Sequence, residues 1–324
     1  MTKVRSTAAQ SIPVIDISPL RDGSNPAAVA HALLAASRDL GFIYINGHGI
    51  PDEVITTARG CALDFFLSPE QEKQRYTISD KHRGWLSQGG AKMRDDLAAD
   101  LKESFIWGYQ DDAGGTLCDH ELRGPNQWPD FVPAMESAAL DYFDHADRVA
   151  RHLLRGFALG LNLDTDFFLR NSEVPLSRAS FVYYPGQAES SDKPAFGVGP
   201  HTDFGLLTVL CQDHVGGLQV ENSSGQWIEA PPIPGSLVVN VGDLLERWTD
   251  GAFRSTPHRV INSSAQERLS LVLAFDPNPE TMIDAADIYG DRHQAKQDAI
   301  SCGDYLVWRF AKAFSYRSKD ADTL

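Results

Sequence analysis

The sequence predicts a mainly β fold with α additions, and two textures within it carry that expectation. From Arg178 to Phe275, short apolar runs alternate with Pro and Gly turns at even spacing, the pattern of a β-sandwich or barrel. On either side, the apolar residues recur at helical intervals. The chain is long for one small domain and short for three, so residues 1–324 are expected to form a single compact unit. Within it fall an N-terminal region over 11–125, a β core over 177–277 and a helical C-terminal extension over 284–324.

In chain order, Ile12 to Ile17 alternates as a short strand. Asn25-Pro26 then opens a helix, an N-cap followed by proline at the first helical position. Val29, Leu33, Leu34 and Leu40 supply its apolar face and Gly41 ends it. Phe42 to Ile45 reads as a strand leading into Asn46-Gly47-His48-Gly49-Ile50, where His48 is a structural residue between two glycines. Helix resumes from Val54 to Leu67, and Ser68-Pro69-Glu70-Gln71 has the form of a capping box. Arg83-Gly84-Trp85 and Lys102 to Trp107 form either an aromatic-rich joint or a pocket wall, which makes Trp85 and Phe105 candidate substrate contacts. Gly114 to Pro133 reads as a long irregular connection. A long helix follows over about 134–159, with Leu140, Phe143, Val149, Leu153 and Phe157 near helical spacing and with His145 and His152 packed or solvated.

The β region carries the chemistry. Its expected strands are Phe181 to Tyr184, Leu206 to Leu210, Leu218 to Val220, Trp227-Ile228, Ser236 to Val241, Arg259 to Ile261 and Leu269 to Phe275. His201-Thr202-Asp203 is read as the start of a strand running to Leu210, because an extended backbone puts residues i and i+2 on one face and lets His201 and Asp203 reach a common point. His258, in Ser255-Thr256-Pro257-His258, is the expected third ligand. Two imidazoles and one carboxylate on one side of an ion suit Fe(II) with its remaining positions open. Ten residues on, Arg268-Leu269-Ser270 sets a guanidinium fork beside a hydroxyl, suited to a carboxylate through charge-assisted hydrogen bonds.

HxD, a distant His and then RxS resembles the 2-oxoglutarate-dependent Fe(II) oxygenases, in particular the isopenicillin N synthase-like branch. Gly41 to Ile50 is similar to that family's "GFxxxxxHGI" signature, and Asn240 to Glu246 to its "NxGDxLE" run. The resemblance implies a double-stranded β-helix, or jelly-roll, core. It also implies Fe(II) on His201, Asp203 and His258, with 2-oxoglutarate as cosubstrate, O2 as oxidant and ascorbate as a possible aid. Arg268 and Ser270 would anchor the distal carboxylate of 2-oxoglutarate, helped by Tyr184, which aligns with the tyrosine of the family's "NYYP" motif although Val182 replaces its asparagine. The family chemistry splits 2-oxoglutarate to succinate and CO2 while the substrate is oxidised. Asp203 excludes the halogenating variants, which lack the carboxylate; hydroxylation, desaturation, ring closure and demethylation stay open. Phe204, next to the ligand, is a candidate substrate contact, whereas Asp243, Glu246 and His214 are read as turn residues.

Composition narrows the partners. Formal charge is −15, from 29 Lys and Arg against 44 Asp and Glu, which disfavours nucleic-acid binding and leaves a small-molecule substrate. Cys61, Cys118, Cys211 and Cys302 lack disulfide or zinc spacing. With no apolar span and no secretory h-region, the expected location is cytoplasmic and away from membranes. The aromatics of Tyr305 to Phe310 dock on the barrel or join a dimer interface, so monomer and homodimer are both open. Three other readings compete with a 2-oxoglutarate-consuming oxygenase. One is an Fe(II) oxidase of the isopenicillin N synthase or aminocyclopropane-carboxylate oxidase type; another is ethylene- and succinate-forming activity; the last is a metal-free jelly-roll binding protein.

Overall fold

A computed structural model describes residues 11–91, 100–110, 120–186, 196–261, 265–314 and 316–317. The chain opens with β1 (Val14–Asp16), the short α1 (Ser18–Asp22), α2 (Pro26–Asp39) and β2 (Phe42–Asn46). Asn25 caps α2 by accepting a hydrogen bond from the Ala28 N–H, as the Asn-Pro pair predicts. Next come α3 (Asp52–Phe66), α4 (Glu70–Gln74), β3 (Gly84–Leu86), β4 (Glu103–Gly108) and α5 (Met135–Gly160). The β region holds β5 (Arg178–Tyr184), β6 (Phe196–His201), β7 (Leu207–Cys211), β8 (Leu218–Glu221), β9 (Trp227–Glu229) and β10 (Leu237–Val241). It continues through α6 (Asp243–Trp248), β11 (His258–Ile261) and β12 (Arg268–Phe275). The chain closes with β13 (Met282–Ile283), α7 (Ala286–Tyr289), β14 (Ile300–Ser301) and α8 (Cys302–Ala313).

Two sheets face each other. The larger has eight strands in the order β1-β2-β10-β7-β12-β5-β4-β3, and the smaller has four in the order β6-β11-β8-β9. The outer face of the large sheet is covered by helices. α5 buries Tyr142, Ala146, Val149, Leu153 and Phe157 along one stripe, and the Tyr142 hydroxyl donates to the Leu271 carbonyl at 3.1 Å on the central strand. The inner face looks towards the small sheet. A second, smaller apolar cluster, including Val182, Val198, Leu218, Val220, Val238 and Val260, packs between the two.

Strand alternation assigns each side chain to one of these faces. On β12, Leu269, Leu271, Leu273 and Phe275 enter the helix-covered core, while Arg268, Ser270, Val272 and Ala274 line a cavity between the sheets. On β4, Phe105 and Trp107 enter the core and Ser104 and Ile106 line the cavity. The pocket-wall expectation for Trp85 and Phe105 is therefore corrected. Both side chains are buried in the core, Trp85 with its indole N–H donating to Glu103 at 2.8 Å, and the cavity is lined by their neighbours Leu86, Ser104 and Ile106.

Further expectations change. His201 to Leu210 is not one strand: His201 ends β6 in the small sheet, Leu207 begins β7 in the large one, and Thr202 to Leu206 crosses between them. Gly205 makes the crossing possible, because a Cβ there would lie 2.2 Å from the Asp276 carboxylate. No capping box forms at Ser68; its hydroxyl donates instead to the Asp64 carbonyl at 2.7 Å, and α4 has no side-chain cap. The segment after Asp284 is not wholly helical, since β14 pairs with β13 before α8 begins. Of the connection Gly114 to Pro133, residues 114–119 lie outside the described ones, as does Cys118. Cys61, Cys211 and Cys302 are buried free thiols, and no described helix is long and apolar enough to cross a membrane.

Because Phe105 belongs to the core, Phe105→Ala should destabilise the fold by about 3–5 kcal/mol in urea unfolding. Affinity for ligands of the cavity should change little; a ligand-binding loss with unaltered stability would put Phe105 back on the pocket wall.

Candidate active site

The antiparallel pairing of β6 with β11 puts His201 directly opposite His258. Their rings lie 4.2 Å apart between centroids. Asp203, two residues past the end of β6, brings Oδ1 to 3.8 Å from His201 Nε2 and 3.7 Å from His258 Nε2. Among the described residues these three form a group whose donor atoms all lie within 4.8 Å of one another, a spacing that could hold a metal ion.

Each donor is oriented by a second contact. His201 Nδ1 donates to the Gly199 carbonyl at 2.8 Å and His258 Nδ1 to the Thr256 carbonyl at 3.1 Å. A carbonyl can only accept, so both imidazoles carry their proton on Nδ1 and turn the Nε2 lone pair towards Asp203. Burial holds the His201 imidazolium well below the usual histidine range, and the neighbouring His258 adds to the effect. Burial pushes the Asp203 carboxyl up, but the positive charge of the two imidazoles when protonated and the Asn240 amide, which donates to Oδ2 at 2.7 Å, outweigh it and bring its pKa below the usual carboxylate range. Two Nε2 atoms aimed at one carboxylate are the donor arrangement that a divalent cation requires.

The loop bearing Asp203 is clamped from behind. The Asp243 N–H donates to the Asp203 carbonyl at 2.8 Å, and a Cβ on Gly242 would lie 2.1 Å from the Gly205 carbonyl. The Asp243 carboxylate then accepts from Ser255 at 2.7 Å, Tyr305 at 3.0 Å and Thr202 at 3.2 Å, and pairs with Arg309 at 3.2 Å. Asp243 is thus a junction between the loop, α6 and α8. Phe204 lines the cavity, with the Arg309 guanidinium 4.1 Å over its ring.

Deeper between the sheets, Arg268 is 1% exposed. Its Nε donates to the Gly216 carbonyl at 2.7 Å and its guanidinium lies 4.7 Å over the Tyr184 ring. Its Nη1 and the Ser270 hydroxyl are buried without a hydrogen-bond partner. A buried cation without a counter-charge costs several kcal/mol, so a guanidinium with an unpartnered Nη1 beside an unpartnered hydroxyl marks a place suited to an anion. Burial raises the Tyr184 hydroxyl above its ordinary range, so it remains a neutral donor.

Sequence reasoning brought forward His201, Asp203, His258, Arg268, Ser270, Tyr184 and Phe204, and all seven line the same cavity. It missed His82 and Arg178, which line it too, and it placed Lys102 in a candidate pocket wall without giving it a role. Arg178 pairs with buried Asp276 at 2.6 Å. His48, expected to be structural, accepts the Ile50 N–H at 3.1 Å through Nδ1, and His214 is exposed. The signal available for Lys102 was the β4 alternation, which places residues 102, 104 and 106 on one face.

Residues 176–277 match the family described as the 2OG-Fe(II) oxygenase superfamily, and residues 12–131 match the N-terminal region described as non-haem dioxygenase in morphine synthesis. A homoarginine-6-hydroxylase of Arabidopsis thaliana is 33% identical, over 94% of this chain and 89% of that protein. The validamycin A dioxygenase of Streptomyces hygroscopicus is 35% identical, over 83% and 78% respectively. The crystal structure of Neurospora crassa T7H in complex with alpha-KG and thymine superposes with a TM-score of 0.83 at 29% identity, covering 93% of this chain and 96% of that one. The chain belongs to the 2-oxoglutarate- and Fe(II)-dependent oxygenase superfamily. It is a jelly-roll oxidoreductase that uses Fe(II) and 2-oxoglutarate to oxidise a small molecule.

His82 generates a prediction of pH dependence. It is buried against Phe310 and Phe314, bonds through Nδ1 to the Tyr316 hydroxyl, and is faced by Arg178, Arg83 and Arg317. Burial first, and then these cations, hold its pKa well below the usual value. The unfolded chain therefore binds a proton, near pH 6.5, that the folded chain does not, and stability falls on acidification below that point by up to about 1.4 kcal/mol per pH unit. Urea midpoints between pH 7 and 5 should fall more steeply in the wild type than in His82→Gln; parallel slopes would absolve His82.

Proposed function

We propose that His201, Asp203 and His258 hold the Fe(II), and that Arg268 and Ser270, with Tyr184 alongside, grip the distal carboxylate of 2-oxoglutarate. The observation that carries this reading is the pair of buried, unpartnered polar groups, Arg268 Nη1 and Ser270 Oγ, on the same face of β12. A carboxylate satisfies both at once, and one seated between the sheets neutralises a charge that is otherwise costly to bury. The match to the 2OG-Fe(II) oxygenase family and the alpha-KG-bound neighbour support 2-oxoglutarate consumption over the oxidase reading.

The residues then divide the work. Fe(II) with 2-oxoglutarate supplies O2 activation coupled to loss of CO2 and formation of succinate, with hydroxylation of the substrate as the favoured outcome. The two imidazoles and the carboxylate would hold the metal through three donors, and the cavity beside them would admit cosubstrate and oxidant. Asn240 and the backbone carbonyls of Gly199 and Thr256 fix donor directions, so little reorganisation is needed during turnover. Apolar walls including Val198, Leu218 and Val260 exclude water. Phe204 faces the substrate from the position next to the metal-binding carboxylate.

Arg268→Ala should weaken 2-oxoglutarate binding by roughly 10- to 100-fold, measured by titration of the metal-loaded protein, and leave metal affinity nearly unchanged. Collapse of metal binding with unaltered 2-oxoglutarate affinity would refute the assignment. Asp203→Ala should abolish succinate release while its far-UV circular dichroism and urea midpoint stay close to wild type. Full retention of succinate formation would mean that another carboxylate serves the metal.

A further inference from the structure

The cavity is charged opposite to the molecule around it. The whole chain carries a net −15, yet among the described residues the ionic groups lining the cavity are Lys102, Arg178 and Arg268 against one carboxylate, Asp203. Three of these four are accounted for. Asp203 belongs to the metal site, Arg178 is neutralised by Asp276 at 2.6 Å, and Arg268 faces the anion position on β12. Lys102 has only a loose ion pair, with Asp100 at 4.0 Å.

Its surroundings do not use its protons. The nearest carboxylate to its ammonium is Asp100 Oδ2 at 4.0 Å, beyond hydrogen-bonding distance. Asp100 accepts the Gly199 N–H through Oδ1 at 3.0 Å, which steadies the strand that bears His201, while its Oδ2, the atom 4.0 Å from Lys102, is buried without a hydrogen-bond partner. The Lys102 side chain is only 14% exposed, and its charge reaches both Asp203 and His201. Burial lowers the pKa of the Lys102 ammonium and raises that of the Asp100 carboxyl, the directions expected for an ion pair that is not fully closed. Leu86, Ile106, Phe204, Phe310 and Phe314 give the same cavity an apolar and aromatic surface, interrupted by His82, Ser104 and Arg178.

We propose that Lys102 is the substrate anchor, and that the substrate is a small carboxylic acid with an apolar body. The inference rests on the reading of the metal and 2-oxoglutarate sites given above and adds the class of molecule that is oxidised. The carboxylate takes the free ammonium protons beside the metal, the apolar body packs on Phe204, Phe310 and Phe314, and the acid brings the negative charge that the cavity lacks. A lysine provides a point charge and no planar fork, so it fixes one end of the substrate and leaves the apolar wall to set which carbon approaches the metal.

The test uses the visible charge-transfer band of the anaerobic Fe(II)–2-oxoglutarate complex of the full chain, titrated with 3-phenylpropanoate and hexanoate, with their carboxamides, and with the matching primary amines. Expected in the wild type is a perturbation by the acids at concentrations at least about tenfold lower than by the amides or amines. In Lys102→Met the acids should lose at least about tenfold in apparent affinity, while the band itself forms at the same 2-oxoglutarate concentration. Lys102→Arg, which keeps the charge, should restore part of the response. The proposal is overturned if amides or amines bind as well as the acids, if no acid perturbs the band, if Lys102→Met binds acids like wild type, or if that variant loses 2-oxoglutarate instead. Failure of the band to form in the wild type would strike the cosubstrate reading and not the lysine.

Discussion

The backbone pairing of β6 with β11 is the constraint on which the site depends. It places residues 201 and 258 across from each other in the small sheet, so two histidines distant in sequence become neighbours without any loop having to hold them there. An antiparallel register has a period of two, and a slip of one residue would turn one imidazole out of the cavity. The outward fixings follow from the same strands. Gly199 and Thr256, each two residues before its histidine, supply the carbonyls that set the tautomers.

The third donor comes from a place where regular structure stops. Thr202 to Leu206 passes from one sheet to the other, and the crossing is tight enough that Gly205 and Gly242 could not carry side chains without clash. A crossing of this kind would wander if left alone. Here the Asp243 junction, fed by Ser255, Tyr305 and Arg309, ties the loop to α6 and α8. Acidic residues near a metal site invite a catalytic reading, but the contacts of Asp243 are all with the scaffold, and its effect on chemistry passes through the position of Asp203.

Charge distribution separates surface from interior. The formal net charge is −15, while the cavity collects cations just before β4, on β5 and on β12. Each buried cation has a different arrangement: Arg178 is closed by Asp276, Arg268 is half-satisfied by the Gly216 carbonyl, and Lys102 stands 4.0 Å from Asp100. A buried guanidinium or ammonium left without protons donated is destabilising, so the two incomplete pairs favour anionic ligands by making the ligand-free state the costlier one.

Much of this was legible in the residue order. Alternation along 268–275 placed Arg268 and Ser270 on one face, and HxD with the later His258 named the donors before any fold was known, because ligand type and local spacing are properties of the chain itself. Helix α2 was readable from its Asn-Pro start for the same reason: capping is a contact between residues three apart. What only the tertiary structure decided was which face of each strand looks inward and where strands end. Trp85 and Phe105 read as pocket residues because aromatics suit both a core and a wall, and one residue of register, set by the helices packed on the far side, separates the two. The break between β6 and β7 was hidden as well, since an unbroken apolar run after His201 fits one strand or two, and only the arrival of Asp276 against Gly205 divides it. Lys102 gained its meaning the same way: a lysine is ordinary in a sequence and becomes informative once the folded sheets bury it beside a metal site with its protons unclaimed.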